Sequence, residues 1–344
     1  MSNRTIVAMP GDGIGKVVLD EAIRVLDKAG FNANYVEADI GWEFWCKEGN
    51  PLPQRTLDLI EEHKIGLFGA ITSKPKDEAF EELSLELRDK GLVYSSPIVG
   101  LRQHFGLDIC LRPCRTFKGN PLNFIRRGPN NTIEEPEIDV AIFRQNTEGL
   151  YGGVEWSNPP SNVYDALMSH PKFSKNFGNT PVEEISVSTR IFTKKYTERI
   201  LRAAFEHAKK YDYKSVTVCE KPNVIRETSG MMYKMAQQIQ KEDYSNIELW
   251  NTNIDAQMMW LTKNPENYGV IVAGNMFGDI VSDGFAGLIG GLGFATSAQY
   301  NPETGIGVFE PTHGSAPKYA DYETSIVNPI AMIETSCMML DFID

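Results

Sequence analysis

Apolar positions along this chain follow two alternating rhythms. Thr5 to Met9 is a short β-type run, Gly11 to Gly15 makes a glycine-rich turn, and Val18, Ala22, Val25 and Ala29 then recur at helical spacing. Together they read as strand, loop, helix. Strand-like runs return at Ile65 to Ile71, Asp139 to Phe143, Ser215 to Cys219, Ile247 to Trp250 and Val270 to Ala273, with helical or loop sequence between them. Phe192, Tyr196, Ile200 and Ala204 share one face of a strongly amphipathic helix. Strands alternating with helices predict an α/β fold with a largely parallel sheet. Two polar, turn-rich stretches, Lys118 to Pro136 and Trp156 to Pro181, interrupt the rhythm and suggest a second domain's loops or an intersubunit arm. The uncharged stretch Gly284 to Pro302 is too rich in glycine and polar residues for a membrane span and reads as a packed turn region.

Composition narrows the class. The 344 residues are enough for two domains, at roughly 150 residues each, and 42% apolar with 23% charged residues is the balance of an ordinary folded protein. A net charge of -12 repels a phosphate backbone, so nucleic acid is not an expected partner. The five cysteines include no CxxC pair, and Cys110 with Cys114 lacks the second pair that a zinc site needs, so reduced thiols are the simpler reading. The opening MSNRTIVAMPGDG has too short an apolar stretch for a secretory signal. A soluble, cytoplasmic protein without membrane partners is the expectation.

Candidate chemistry gathers in a few segments. Gly11-Asp-Gly-Ile-Gly15 can bring backbone amides to a phosphate, but it lacks the third glycine of the dinucleotide fingerprint, and a plain tight turn explains it better. Asp279 and Asp283, four residues apart after the turn Gly274 to Gly278, share a helix face and offer two hard oxygen ligands to Mg²⁺ or Mn²⁺. Acids early in a helix also complement its dipole. A third acid, Asp255, in the otherwise uncharged stretch Asn251 to Leu261 tips the balance toward metal. Arg102, Arg112, Arg115 and Arg144 lie within about forty residues of a net-acidic chain, and guanidinium groups at strand ends suit a polycarboxylate. Tyr151 and Lys221, each in a turn after a strand, can serve as proton donor or base, or be structural.

Taken in order, GDGIG, LRQHFGLDICLRP, FRQNTEGLYGGVEW, CEKPNVIRETSG, NTNIDAQ, NMFGDIVSD, FEPTHGSAPKYA and VNP resemble the β-decarboxylating dehydrogenases, the family of isocitrate, isopropylmalate, homoisocitrate and tartrate dehydrogenases. The resemblance covers nearly the whole chain. It implies the isopropylmalate dehydrogenase-like fold, with a large α/β domain (1–97 and 253–344), a smaller α+β domain (98–252) and no Rossmann domain of the usual kind. It further implies a homodimer with shared active sites, acting on a small hydroxy di- or tricarboxylate.

The same resemblance assigns roles. Arg102, Arg112 and Arg144 would bind substrate carboxylates, and Asp279 and Asp283 would hold Mg²⁺ or Mn²⁺ with Asp255 from the neighbouring subunit. Tyr151 would protonate the enolate carbon, and Lys221 from the second subunit would help take the C2 hydroxyl proton. Nicotinamide would lie near Thr72 and Ser73, with adenosine against His313, Gly314, Ser315, Ala316 and Asn328. Lys318 and Tyr319 match the pair that meets a 2′-phosphate, pointing to NADP with NAD as the alternative. Ser96 keeps an isocitrate-type position. Ile98 replaces an asparagine that contacts the third carboxylate and resembles the aliphatic pocket of isopropylmalate enzymes. Phe68 and Gln145 depart from the usual lysine and glutamate, and Lys74 to Tyr94 reads as an insertion. The motifs together favour isocitrate, with an alkylmalate, homoisocitrate or tartrate as alternatives, and a non-catalytic regulatory subunit or a polycarboxylate sensor as more distant ones.

Overall fold

A computed structural model describes residues 4–344. Its strands, in chain order, are β1 (Arg4–Gly11), β2 (Ala33–Glu37), β3 (Ile65–Ala70), β4 (Ile109–Arg115), β5 (Arg126–Arg127), β6 (Ile133–Glu134), β7 (Asp139–Gln145), β8 (Glu155–Ser157), β9 (Ser186–Ser188), β10 (Ser215–Glu220), β11 (Glu248–Asn253), β12 (Val270–Ala273), β13 (Thr296–Asn301) and β14 (Ile306–Pro311). Ten of them form one sheet in the order β11-β10-β12-β7-β4-β13-β14-β3-β1-β2. Neighbours run parallel except where β4 and β13 meet each other, and where β4 meets β7 and β13 meets β14. The sheet interleaves strands of 98–252 with strands of 253–344, because β12 lies between β10 and β7.

Near-continuous apolar runs in β3, β10 and β12 are fully buried, as strands covered on both faces must be. On one face, Phe143, Val216, Val218, Val270 and Val272 pack under the helix Lys194–Lys210, which buries Ile200 and Ala204 of the predicted stripe together with Leu201 and Phe205, while Phe192 of that stripe precedes the helix. The helices Gly15–Lys28 and Ile330–Ile343 continue this layer over β1, β3 and β14. On the other face, Val140, Ile142, Ile271 and Ala273 pack against Phe277, Val281 and Phe285 of the helix Asn275–Leu288.

Several irregular readings change. Gly284 to Pro302 is not a turn region: it completes the Asn275–Leu288 helix and supplies β13, a central strand whose polar residues pair with β4 and β14. Lys118 to Pro136 contains the β5–β6 hairpin, and Trp156 to Pro181 carries the helices Ser161–Met168 and Pro171–Phe177. Lys74 to Tyr94 forms a helical unit with its own small core, in which Ala79, Leu83 and Leu87 enclose Trp45. Among the described residues, no helix is long and apolar enough to cross a membrane.

Candidate active site

Register across the sheet centre builds the site. Side chains alternate faces along a strand. Cys110 of β4 pairs with Arg144 of β7 and with Gln299 of β13, while Ser297 pairs with Glu310 of β14. Arg112, two residues from Cys110, therefore shares a face with Arg144, Gln299 and Glu310. The helix Asn275–Leu288 closes on this face because residue 278 has no side chain: a Cβ there would sit 2.8 Å from Cβ and Cγ of Arg144. Gly278 thus brings Asp279 directly onto the arginines.

One Asp279 oxygen accepts from Arg112 at 3.0 Å and from Arg144, and the other accepts the Tyr151 hydroxyl at 2.9 Å. Asp283, a turn later and largely exposed, lies 3.4 Å from Arg112, which also donates to Ser282 at 2.9 Å. Arg144 donates to Asn275 at 2.9 Å and stacks 5.3 Å from the Tyr151 ring centroid. Arg102, on the helix Pro97–Phe105, donates to Gln299 at 2.5 Å and faces Glu310 at 3.5 Å.

Charge and burial set the protonation states. Burial by itself would raise the Asp279 carboxyl, but Arg144 and Arg112 outweigh it and hold the group below the usual carboxylate range. Burial, then the Asp279 charge, pushes the Tyr151 hydroxyl up, so it keeps its proton at neutral pH. Burial, then Arg112, lowers Arg144 to about 10. Glu310 is raised by burial despite Arg102.

A cavity of about 650 Å³ opens beside this cluster, lined by Thr72, Ser73, Ser96, Ile98, Arg102, Arg112 and the turn His313 to Ala316, along with Lys74 and Glu310. Its loops are pinned from behind. The Asp12 carboxylate accepts the backbone N–H of Thr72 at 2.8 Å and of Trp42 at 2.8 Å, and the Thr72 and Ser315 hydroxyls meet at 2.6 Å. At Gly13, with φ +55°, a Cβ would lie 2.2 Å from the Ser315 carbonyl, so the glycine turn serves as a close-packed support for this wall.

Not every expected residue reaches the cavity. Lys318 and Tyr319 are exposed on the turn beyond it, the ammonium 4.7 Å from its neighbour's ring. Asn328 spends its side chain on the Gly293 carbonyl and the Ile330 N–H. Lys221 and Asp255 form an ion pair with each other, and among the described residues no three His, Cys, Asp or Glu side chains of one chain come together. Asp279 and Asp283 alone form the acidic pair. Glu310, Gln299 and Asn275 belong to the site but are not singled out by the sequence reading. Glu310 carries the one available signal, an acid at the end of an apolar strand inside FEPTHGSAPKYA.

Residues 5–344 match the family model "Isocitrate/isopropylmalate dehydrogenase". The chain belongs to this family. The fold is thus that of an isocitrate/isopropylmalate dehydrogenase family member. Protein DlpA of Legionella pneumophila is 38% identical over 98% of this chain, which spans about half (51%) of that protein's length. Homoisocitrate dehydrogenase of Methanocaldococcus jannaschii is 36% identical over 98% of the chain and 85% of its own length. The solved isocitrate dehydrogenase of Methylococcus capsulatus superposes with a TM-score of 0.79 at 33% identity, covering 99% of this chain and 86% of that one.

Proposed function

We propose that this chain catalyses the metal-dependent oxidative decarboxylation of a malate substituted at C3, with isocitrate as substrate, 2-oxoglutarate as product and NADP as hydride acceptor. The observation that carries this reading is the convergence of Arg102, Arg112 and Arg144, from three separate elements, on one site with Asp279, Asp283 and Tyr151. Guanidinium forks hold carboxylates in a fixed plane, so three of them orient a polycarboxylate and fix which face of it meets the hydride acceptor.

Asp279 and Asp283 suit Mg²⁺ or Mn²⁺: both are hard oxygen donors, they face the same arginine, and Asp283 has solvent-exposed capacity left. Such a cation, when bound, supplies the Lewis acidity that lowers the substrate hydroxyl's pKa and stabilises the negative charge left as CO₂ departs. Asp255 of a second copy would add a third oxygen donor, and Lys221 of that copy would take the C2 hydroxyl proton. Tyr151 keeps a proton at its Oη beside Asp279 and delivers it to C3. Thr72, Ser73 and the His313 to Ala316 turn would form the dinucleotide wall, and Lys318 and Tyr319, on the exposed turn beyond the cavity, would meet a 2′-phosphate.

Ile98 favours a second reading, an alkylmalate such as isopropylmalate, because it sets an apolar side chain in the same cavity as Ser96 and Arg102. Nicotinamide reduction by the purified protein with Mn²⁺, crossing isocitrate, isopropylmalate, homoisocitrate and tartrate with NAD and NADP, separates the two. Fastest turnover of isocitrate with NADP supports the first reading. Turnover of isopropylmalate alone establishes the second, and none with any acid or dinucleotide overturns both.

A further inference from the structure

Isocitrate carries one carboxylate more than malate, and the apolar Ile98, which lines the cavity, stands where the family resemblance implies a polar contact to that carboxylate. That side chain packs against the core made by Val7, Leu101 and Phe105 and has no polar atom to offer. Arg102 and Arg112 also line the cavity, but on the substituted-malate reading they hold the carboxylates of the malate core. One other cation lines the same cavity: Lys74, immediately after Thr72 and Ser73.

Lys74 is held in a way that leaves it free to exchange partners. Its ammonium lies 5.2 Å from the Trp42 ring centroid and pairs with Glu82 at the end of the helix Lys76–Glu81. Glu82 has a second donor, the Trp42 indole N–H at 2.6 Å, so losing Lys74 would not leave its carboxylate bare. Both side chains of the pair keep contact with solvent, Lys74 half-buried at 31% and Glu82 exposed at 42%. A solvent-screened pair of this kind contributes little, less than a charge-assisted bond to a carboxylate in a partly desolvated cavity. A lysine also has three donors on a flexible stem and can reach inward while its methylenes stay on Trp42.

We propose that Lys74 is the specificity residue for a carboxylate on the C3 substituent, exchanging Glu82 for the substrate and taking the place of the polar group absent at Ile98. The inference rests on the substituted-malate reading of the site and names the substituent class within it. It also gives the inserted segment 74–94 a purpose: the Trp45-centred core holds Tyr94, whose hydroxyl donates to the Thr72 carbonyl at 3.0 Å, and so fixes the loop from which Lys74 projects.

Two variants distinguish this from a purely structural clasp, since Lys74→Met and Glu82→Gln both break the same ion pair. If Lys74 binds substrate, the ratio of kcat/KM for isocitrate to that for isopropylmalate falls at least tenfold in K74M and holds or rises in E82Q. If the pair is only a clasp, both variants move the ratio the same way, which overturns the proposal. Calorimetric titration of isocitrate reads binding independently of turnover. Affinity at least tenfold weaker in K74M than in the unsubstituted protein supports the proposal even if the reaction assignment fails. Equal affinity, no isocitrate binding by the unsubstituted protein, or a loss confined to titrations with NADP or NAD would each overturn it.

Discussion

Asp279 is the single acid to which Arg112, Arg144 and Tyr151 all attach, so Asp279→Asn tests the electrostatics of the site directly. The substitution preserves shape and one acceptor oxygen but removes the charge opposite Arg144, which is 2% exposed, and Arg112, which is 8% exposed. Removing one partner of a buried ion pair costs roughly 3–5 kcal/mol. The Asp279 side chain keeps 31% of its exposure and the amide still accepts a hydrogen bond, so the expected loss is about 2–3 kcal/mol. Urea unfolding at fixed protein concentration measures it. The pH dependence has a definite sign. A carboxyl held below its unfolded value of about 3.9 contributes stability that is fully present above that pH and is lost as pH falls through the lowered folded value. The gap between D279N and the unsubstituted protein should therefore be constant near neutrality and shrink below about pH 4. A loss under about 0.5 kcal/mol, or a gap that does not narrow in acid, would refute the claim that this carboxylate neutralises the two arginines.

Further substitutions separate the roles. Tyr151→Phe removes one hydrogen bond to an acid that keeps two others, so stability should fall by at most about 1.5 kcal/mol, while overall turnover falls by roughly 10²–10⁴ and reduction of the keto acid is spared. Equal losses in both assays would remove Tyr151 as the C3 acid. Asp283→Asn should raise the Mg²⁺ or Mn²⁺ concentration needed for half-maximal rate at least tenfold, and an unmoved titration would take the residue out of the metal set. Ile98→Asn should shift kcat/KM toward isocitrate and away from isopropylmalate; a fixed ratio ends the pocket argument. Glu220→Gln should destabilise by about 3–5 kcal/mol, because the fully buried carboxylate accepts from Arg190, Ser229 and the Gly274 N–H. Full thermal stability in that variant would show that the network at the start of the Asn275–Leu288 helix is dispensable.

What could be read from the sequence follows from how local each signal is. The runs that became β1, β3, β7, β10 and β12 announced themselves because a strand buried on both faces is apolar over several consecutive residues. The Lys194–Lys210 helix was equally plain from its stripe. β13 was hidden because its sequence, TSAQYN, carries polar side chains that are satisfied only by distant partners such as Arg102, Asn146 and Arg199. Asp279 and Asp283 were legible from their i, i+4 spacing; of the site's three arginines only Arg144 lies near a strand end, Arg102 standing on the helix Pro97–Phe105 and Arg112 inside β4. Glu310 and Gln299 were not legible, since their place depends on the antiparallel register linking β4, β13 and β14, which no local pattern encodes. Lys74 escaped for a similar reason: the insertion looked like a departure from the family, and only its folding against Trp42 and Trp45 shows that it returns a cation to the cavity.

If one site oxidises and decarboxylates the same molecule, hydride transfer and CO₂ loss occur in equal number. The most direct measurement follows nicotinamide reduction and CO₂ release together, using the purified protein with Mn²⁺, NADP and isocitrate carrying a labelled carboxylate at C3. One CO₂ should be released for each nicotinamide reduced, with both signals lost together in D279N. Reduction without CO₂ release, or CO₂ release without reduction, would contradict it.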